Sequence, residues 1–124
     1  MNMITESIQS FRHAFRGLLL AFRTERSFRL QIAAALVVIF FCFILPFRAW
    51  ERALLLLATA SVLVLELINS MVERLIDLVK PRMHLYVRDI KDLMAAAVLL
   101  ASMFAAALGV LILWPYIGTL LGRV

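Results

Sequence analysis

Cysteine occurs once in this chain of 124 residues, at Cys42 inside an apolar run. No disulfide framework can form within one chain, and the thiol reads as a packing residue. Glycine is sparse as well: Gly17, Gly109, Gly118 and Gly122 are scattered, which excludes a glycine-rich phosphate loop of the Walker type. The two histidines, His13 and His84, lie far apart and by themselves read as surface or interface residues before metal ligands. The sequence shows no internal repeat, no low-complexity tract and no cleavable signal, since five arginines precede the first apolar run and no small-residue cleavage site follows it. A net charge of +5 and a pI near 10.4 do not mark a nucleic-acid binder, because the basic residues flank apolar runs and form no block of their own.

What is present is apolar. Hydrophobic residues make up 65% of the chain and the mean hydropathy is +0.98, far above the roughly 45–50% apolar content of a soluble domain. The length suits one domain, and also three membrane spans of about 20 residues each. Ile4, Ile8, Phe11, Phe15, Leu18 and Phe22 recur at helical spacing with Arg12, Arg16 and Arg23 between them. That pattern predicts a basic amphipathic helix over 4–24, lying in the interface plane with its arginines among headgroups. Spans follow at 30–47, 53–76 and 93–113, with Pro46 closing the first and Lys80–Lys91, containing Pro81, forming the turn between the second and third. Trp50, Trp114 and Tyr116 read as the aromatic belt of one leaflet. The expected fold is an all-α membrane protein of three transmembrane helices plus an N-terminal surface helix. Three helices bury little surface against one another in lipid, so a homo-oligomer is expected.

Lysine and arginine set the orientation. Arg12, Arg16, Arg23, Arg26 and Arg29 precede the first span, and Arg74, Lys80, Arg82, Arg88 and Lys91 surround the second connection. Only Arg48 and Arg52 lie in the first connection, with Arg123 at the far end. The bias places the N-terminus and the second connection in the cytoplasm and the C-terminus outside.

The second span carries the chemistry. Glu66, Asn69, Glu73 and Asp77 fall at about 0°, 300°, 340° and 20° around a helix, with Ser70 beside them at about 40°. A carboxylate at membrane depth costs about 2.5–3.5 kcal/mol even on insertion scales, so an acidic stripe there points to function. Counted from Ala53 at 1.5 Å per residue, Glu66 lies roughly 20 Å in and Glu73 roughly 30 Å in. Glu73 therefore reaches the inner interface, where Glu25, Asp77, Lys91 and Asp92 also belong. Acidic oxygens with an amide are hard ligands of the kind Mg²⁺ takes alongside substrate phosphates. This layer suits a reaction between a water-soluble anion and a lipid headgroup. Lys91 can neutralise phosphate charge, Glu25 and Glu73 can hold Mg²⁺, and Glu66 can take a proton from a hydroxyl.

The run Glu66-Leu-Ile-Asn69-Ser70-Met-Val-Glu73-Arg-Leu-Ile-Asp77 resembles the signature ExxN[ST]xxExxxD of the small prokaryotic diacylglycerol kinase family, which includes the undecaprenol kinases. Glu25-Arg-Ser-Phe28-Arg29 and Lys91-Asp92-Leu-Met-Ala-Ala-Ala-Val98 resemble two further motifs, in the same order and at similar spacing. The resemblance implies a homotrimer in the bacterial inner membrane that transfers the γ-phosphoryl group of MgATP to a lipid hydroxyl, at active sites shared between subunits. It implies that Glu66 is the base, that Glu25 and Glu73 hold the metal, and that Lys91 and Asp92 contact the nucleotide phosphates. Asn69 helps shape the centre, with Ser70 and Asp77 in support, and His84 stands where the family meets the nucleotide.

Departures bear on the lipid. Phe28-Arg29-Leu30-Gln31 lacks the acidic group that the diacylglycerol branch has there, and resembles more closely the undecaprenol branch. Phe28, Arg29 and Gln31 are thus the expected lipid-substrate contacts. The ending Trp114-Pro115-Tyr116-Ile117 also resembles that branch, whereas Arg82-Met83 replaces the residues that usually precede the nucleotide histidine. Two non-enzymatic readings of the same residues stay open at this stage. A proton- or ion-relaying oligomer would use the acidic stripe as its path, and a membrane-anchored adaptor would use it as a helix–helix contact.

Overall fold

The computed structural model describes residues 2–79 and 84–122, and within them every regular element is an α-helix. In chain order these are α1 (Met3–Thr24), α2 (Arg26–Ile44), α3 (Ala49–Val79) and α4 (His84–Leu120). The last three are each long and apolar enough to cross a bilayer. Lys80–Met83, expected in the second connection, lie outside the described residues.

A single residue separates α1 from α2. Glu25 takes an extended conformation (φ −110°, ψ 113°), closing α1 through its N–H on the carbonyl of Ala21 at 2.8 Å and opening α2 as its N-cap. Neither glycine nor proline makes this corner. Arg29 secures it, donating from Nη1 to the carbonyls of Phe22 and Arg23 at 2.9 and 3.2 Å and so satisfying the last turn of α1. α1 exposes both its aromatics and its arginines, as an interface-lying helix requires.

α2 ends where proline restricts the preceding residue to extended backbone, with Leu45 at φ −84°, ψ 145° ahead of Pro46. α3 restarts with half of a capping box: Glu51 Oε2 accepts the N–H of Arg48 at 2.8 Å. The same carboxylate accepts the hydroxyl of Tyr116, whose ring stands edge-on to Phe47 with centroids 4.7 Å apart. Leu45, Phe47, Leu55, Cys42 and Ile112 form the core under this end. Cys42 is buried there, a packing residue.

α4 differs from expectation at both ends. It begins at His84, so residues 84–91 are helical and form no part of a turn. It also continues through Pro115 to Leu120. Proline removes one backbone donor to the preceding turn, a loss the helix absorbs while Tyr116 reaches Glu51 and Phe47. Gly122, at φ +65°, supplies the left-handed residue beyond the last turn.

The lengths carry a consequence. α3 has 31 residues and α4 has 37, or about 46 and 55 Å against a hydrocarbon core of about 30 Å. Both helices outrun the apolar slab, whereas α2, with 19 residues, just matches it at about 28 Å.

Candidate active site

α3 buries one stripe: Leu55, Val62, Glu66, Ser70 and Ile76. The stripe is apolar until Glu66 and polar for the next turn. Glu66 and Ser70 are the buried polar side chains among the described residues, with Glu66 only 4% exposed. Two members of the expected polar face, Glu66 and Ser70, therefore lie on the packed face of the helix, continuing the line that builds the core.

Exposure rises along the stripe. Asn69 and Glu73 are half-buried, and the side chain of Asp77 is 64% exposed. Each step is about one helical turn toward the C-terminal end of α3.

Three contacts bring distant parts of the chain to this stripe. Ser27, in the first turn of α2, donates its hydroxyl to Glu66 Oε2 at 3.2 Å. Arg74 Nη2 stands 3.8 Å from Glu25 Oε1 and donates to Thr24 Oγ1 at 2.9 Å, tying the α1–α2 corner to α3. Thr24 is itself fixed by its bond to the carbonyl of Leu20. Lys91 Nζ lies 3.7 Å from Asp77 Oδ1 and ties α4 to the same stratum. Glu25 is thus held near Arg74 and Lys91 near Asp77, about two and three turns along α3 from Glu66.

Asp92 is exposed on α4 beside Lys91, and His84 is the first residue of that helix. The three expected lipid contacts sit differently from one another. Phe28 is 3% exposed, inside the protein. Arg29 is turned back onto the carbonyls that end α1. Gln31 lines a cavity of about 250 Å³ between α2, α3 and α4, walled largely by Ala34, Ala35, Ala58, Ala105 and Gly109. A second, wider groove runs between α1 and α3, lined by Gly17, Leu18, Ala21, Leu67, Ser70 and Arg74. It passes beside the polar turn and opens an apolar route to it.

Ser27 and Arg74 are the members of this site that sequence reasoning passed over. Ser27 lies within the Glu25–Arg29 motif, and Arg74 lies within the signature run, where it counts only as a topology charge. Their partners are 39 and about 50 residues away, so nothing local announces the contacts.

The donor set suits a hard cation in one particular way. Among the described residues no three His, Cys, Asp or Glu side chains are grouped to hold a metal by themselves. Two carboxylates, with the remaining positions supplied by phosphate and water, is the manner in which Mg²⁺ is commonly held. Glu25, 3.8 Å from Arg74, and Glu73, the neighbour of Arg74 along α3, are carboxylates of that type.

The family model for prokaryotic diacylglycerol kinase matches residues 12–113. An undecaprenol kinase of Bacillus subtilis is 32% identical over 114 residues, covering 92% of this chain and 93% of the relative. A diacylglycerol kinase of Escherichia coli K12 is 30% identical over 115 residues, with 92% and 93% covered. A diacylglycerol kinase of Synechocystis is 37% identical over 107 residues, covering 86% of this chain and 61% of that longer protein. The match takes in the α1–α2 corner, the whole polar stripe and the start of α4, and the chain belongs to the prokaryotic diacylglycerol kinase family of lipid kinases.

Proposed function

We propose that this protein transfers the γ-phosphoryl group of ATP directly to the hydroxyl of a membrane lipid, undecaprenol in first place and diacylglycerol in second. The reaction takes place at the cytoplasmic face of a bacterial inner membrane, with the N-terminus inside and the C-terminus outside. The observation that carries the proposal is Glu66: a carboxylate 4% exposed in a helix fit to cross a bilayer, two turns below a charged stratum.

Phosphoryl transfer asks for positioning and charge neutralisation more than for covalent chemistry. The lipid enters from the apolar side, along the groove between α1 and α3, and its hydroxyl meets the carboxylate of Glu66. As the hydroxyl oxygen attacks the γ-phosphorus, its proton passes to Glu66 and the bond from phosphorus to the β–γ bridging oxygen breaks, releasing ADP. No phosphoenzyme forms. Lys91, steered by Asp77, neutralises phosphate charge from α4, and Asp92 and His84 complete the nucleotide contacts. Glu25 and Glu73 would hold Mg²⁺, which when bound offsets the negative charge of the phosphates. Seven residues of α3 separate Glu66 from Glu73, a rise of about 10 Å, room for one phosphoryl group and the acceptor hydroxyl. Asn69 and Ser70 line the intervening turn.

One chain leaves this site open. Glu73, Asp77 and Asp92 are at least partly exposed, and large apolar side chains cover the outside of all three long helices. A homotrimer with sites shared between subunits would close it, and the resemblance of the motifs favours that assembly.

Transfer of ³²P from γ-labelled ATP by purified protein in mixed micelles, with Mg²⁺ and with undecaprenol and diacylglycerol offered side by side, tests the proposal. Label in undecaprenol is the expected result, and label in diacylglycerol alone would reassign the acceptor. Label in neither lipid, with the protein folded, would refute the kinase.

A further inference from the structure

We infer that Ser27 is a positioning residue for the base: its hydroxyl fixes one oxygen of Glu66 so that the other faces the acceptor hydroxyl. The inference rests on Glu66 as the base and adds a residue to that role.

A buried carboxylate on a flexible side chain has two oxygens and three rotatable bonds, so burial alone does not aim it. In α3 the aim comes from elsewhere. Ser27 donates to Oε2 at 3.2 Å from a residue in the first turn of α2, 39 positions away in sequence. No other described residue hydrogen-bonds the carboxylate. Yet among the described residues no side-chain oxygen or nitrogen that is sealed from solvent lacks a partner. Oε1 therefore keeps contact with accessible space although Glu66 as a whole is 4% exposed. One oxygen is tied within the chain and the other has no partner among the described residues, as a base needs when it must take a proton from an incoming group.

The tie is well anchored. Ser27 stands two residues beyond Glu25, the corner residue that Arg74 holds against α3. Glu66 and Arg74 are eight residues apart on α3, about 12 Å, so the first turn of α2 is joined to α3 at two levels. Ser27 itself is exposed apart from this contact, which removes core packing as the reason for a hydroxyl there.

The test compares Ser27→Ala with Ser27→Thr in the micelle assay, measuring kcat and both KM values for ATP and lipid. Ser27→Ala should lower kcat about tenfold, as expected for a hydrogen bond to a charged group whose orientation matters at the transition state. Both KM values should stay at wild type, and Ser27→Thr, which keeps the hydroxyl, should restore kcat. A wild-type kcat in Ser27→Ala overturns the inference. So does a rise in lipid KM at unchanged kcat, which would make Ser27 a binding residue, or an equal loss in Ser27→Ala and Ser27→Thr, which would make it a structural one. Glu66→Gln, run in parallel, separates the layers: if it is inactive while Ser27→Ala is normal, Glu66 stands and only the role of Ser27 falls. If Glu66→Gln turns over normally, the base itself falls and Ser27 with it.

Discussion

Replacing Phe28 by alanine should destabilise the fold while leaving the reaction of the molecules that remain folded unchanged. Phe28 is 3% exposed in the first turn of α2. Removing the phenyl ring frees about 100 Å³, and at about 24 cal/mol per Å³ of residual cavity that costs about 2.4 kcal/mol. In a soluble core the transfer of the ring from water raises the total to about 3–5 kcal/mol. Here the unfolded helix keeps part of its apolar surface in lipid, so packing and not transfer from water carries most of the cost. An expected loss of about 2–4 kcal/mol follows, with Phe28→Leu below about 1.5 kcal/mol because it nearly conserves volume. Denaturant titration and thermal inactivation in detergent would measure it, with kcat and lipid KM taken on the surviving folded fraction. Wild-type stability combined with a raised lipid KM would refute the reasoning and return Phe28 to the lipid-contact role that its motif suggests.

Glu66→Gln keeps the shape of the buried side chain and an acceptor for Ser27, so assembly should persist while kcat falls by about 10²–10⁴; normal turnover would remove Glu66 as the base. Glu73→Gln should shift the Mg²⁺ titration of activity to higher concentration, and an unchanged titration would remove it as a metal ligand. Lys91→Met should raise the KM for ATP without loss of folding, since the Lys91–Asp77 contact is largely solvated and adds little stability; a folding defect with normal KM would count against the nucleotide role. Tyr116→Phe, which removes the hydroxyl bonded to Glu51 and keeps the ring against Phe47, should lower the thermal midpoint and leave kcat alone. A parallel drop in kcat would mean that the two ends of the bundle are coupled.

Much of this architecture is legible in the residues because membranes simplify the code. An interface helix must alternate apolar and basic residues at helical spacing, as Ile4 to Phe22 does, and a span must be long and apolar. Glu66 stands out for the same reason, as a charge where charge is costly. What escapes is set by contact and not by composition. The corner at Glu25 has no glycine or proline to announce it. α4 extends past both expected limits because charges and proline are read as boundaries, although Arg88, Asp89 and Lys91 are good company for a helix that has left the slab, and Pro115 costs only one backbone bond. Phe28 reads as a lipid-substrate contact, and in the structure it is buried in the first turn of α2. Arg74 counts as an orientation signal until Glu25 and Thr24 are found beside it.

In the proposed reaction the polar stripe of α3 also separates two substrates that share no solvent. Its exposure runs from 4% at Glu66 to 64% for the Asp77 side chain in eleven residues, about 16 Å along the helix axis. A lipid alcohol is concentrated in the apolar layer and would reach the buried end, while a nucleotide is confined to water and would reach the exposed end. A site wholly in water would have to extract the lipid, and one wholly in lipid would have to desolvate a polyanion, which costs far more than the hydrogen bonds there could return. A graded stripe would avoid both costs by letting each substrate stay in its own phase until the reacting atoms meet, on the proposed reading between Glu66 and Glu73. The same gradient explains why Glu66 is tolerated at all: it belongs to a line of residues that leads out to solvent.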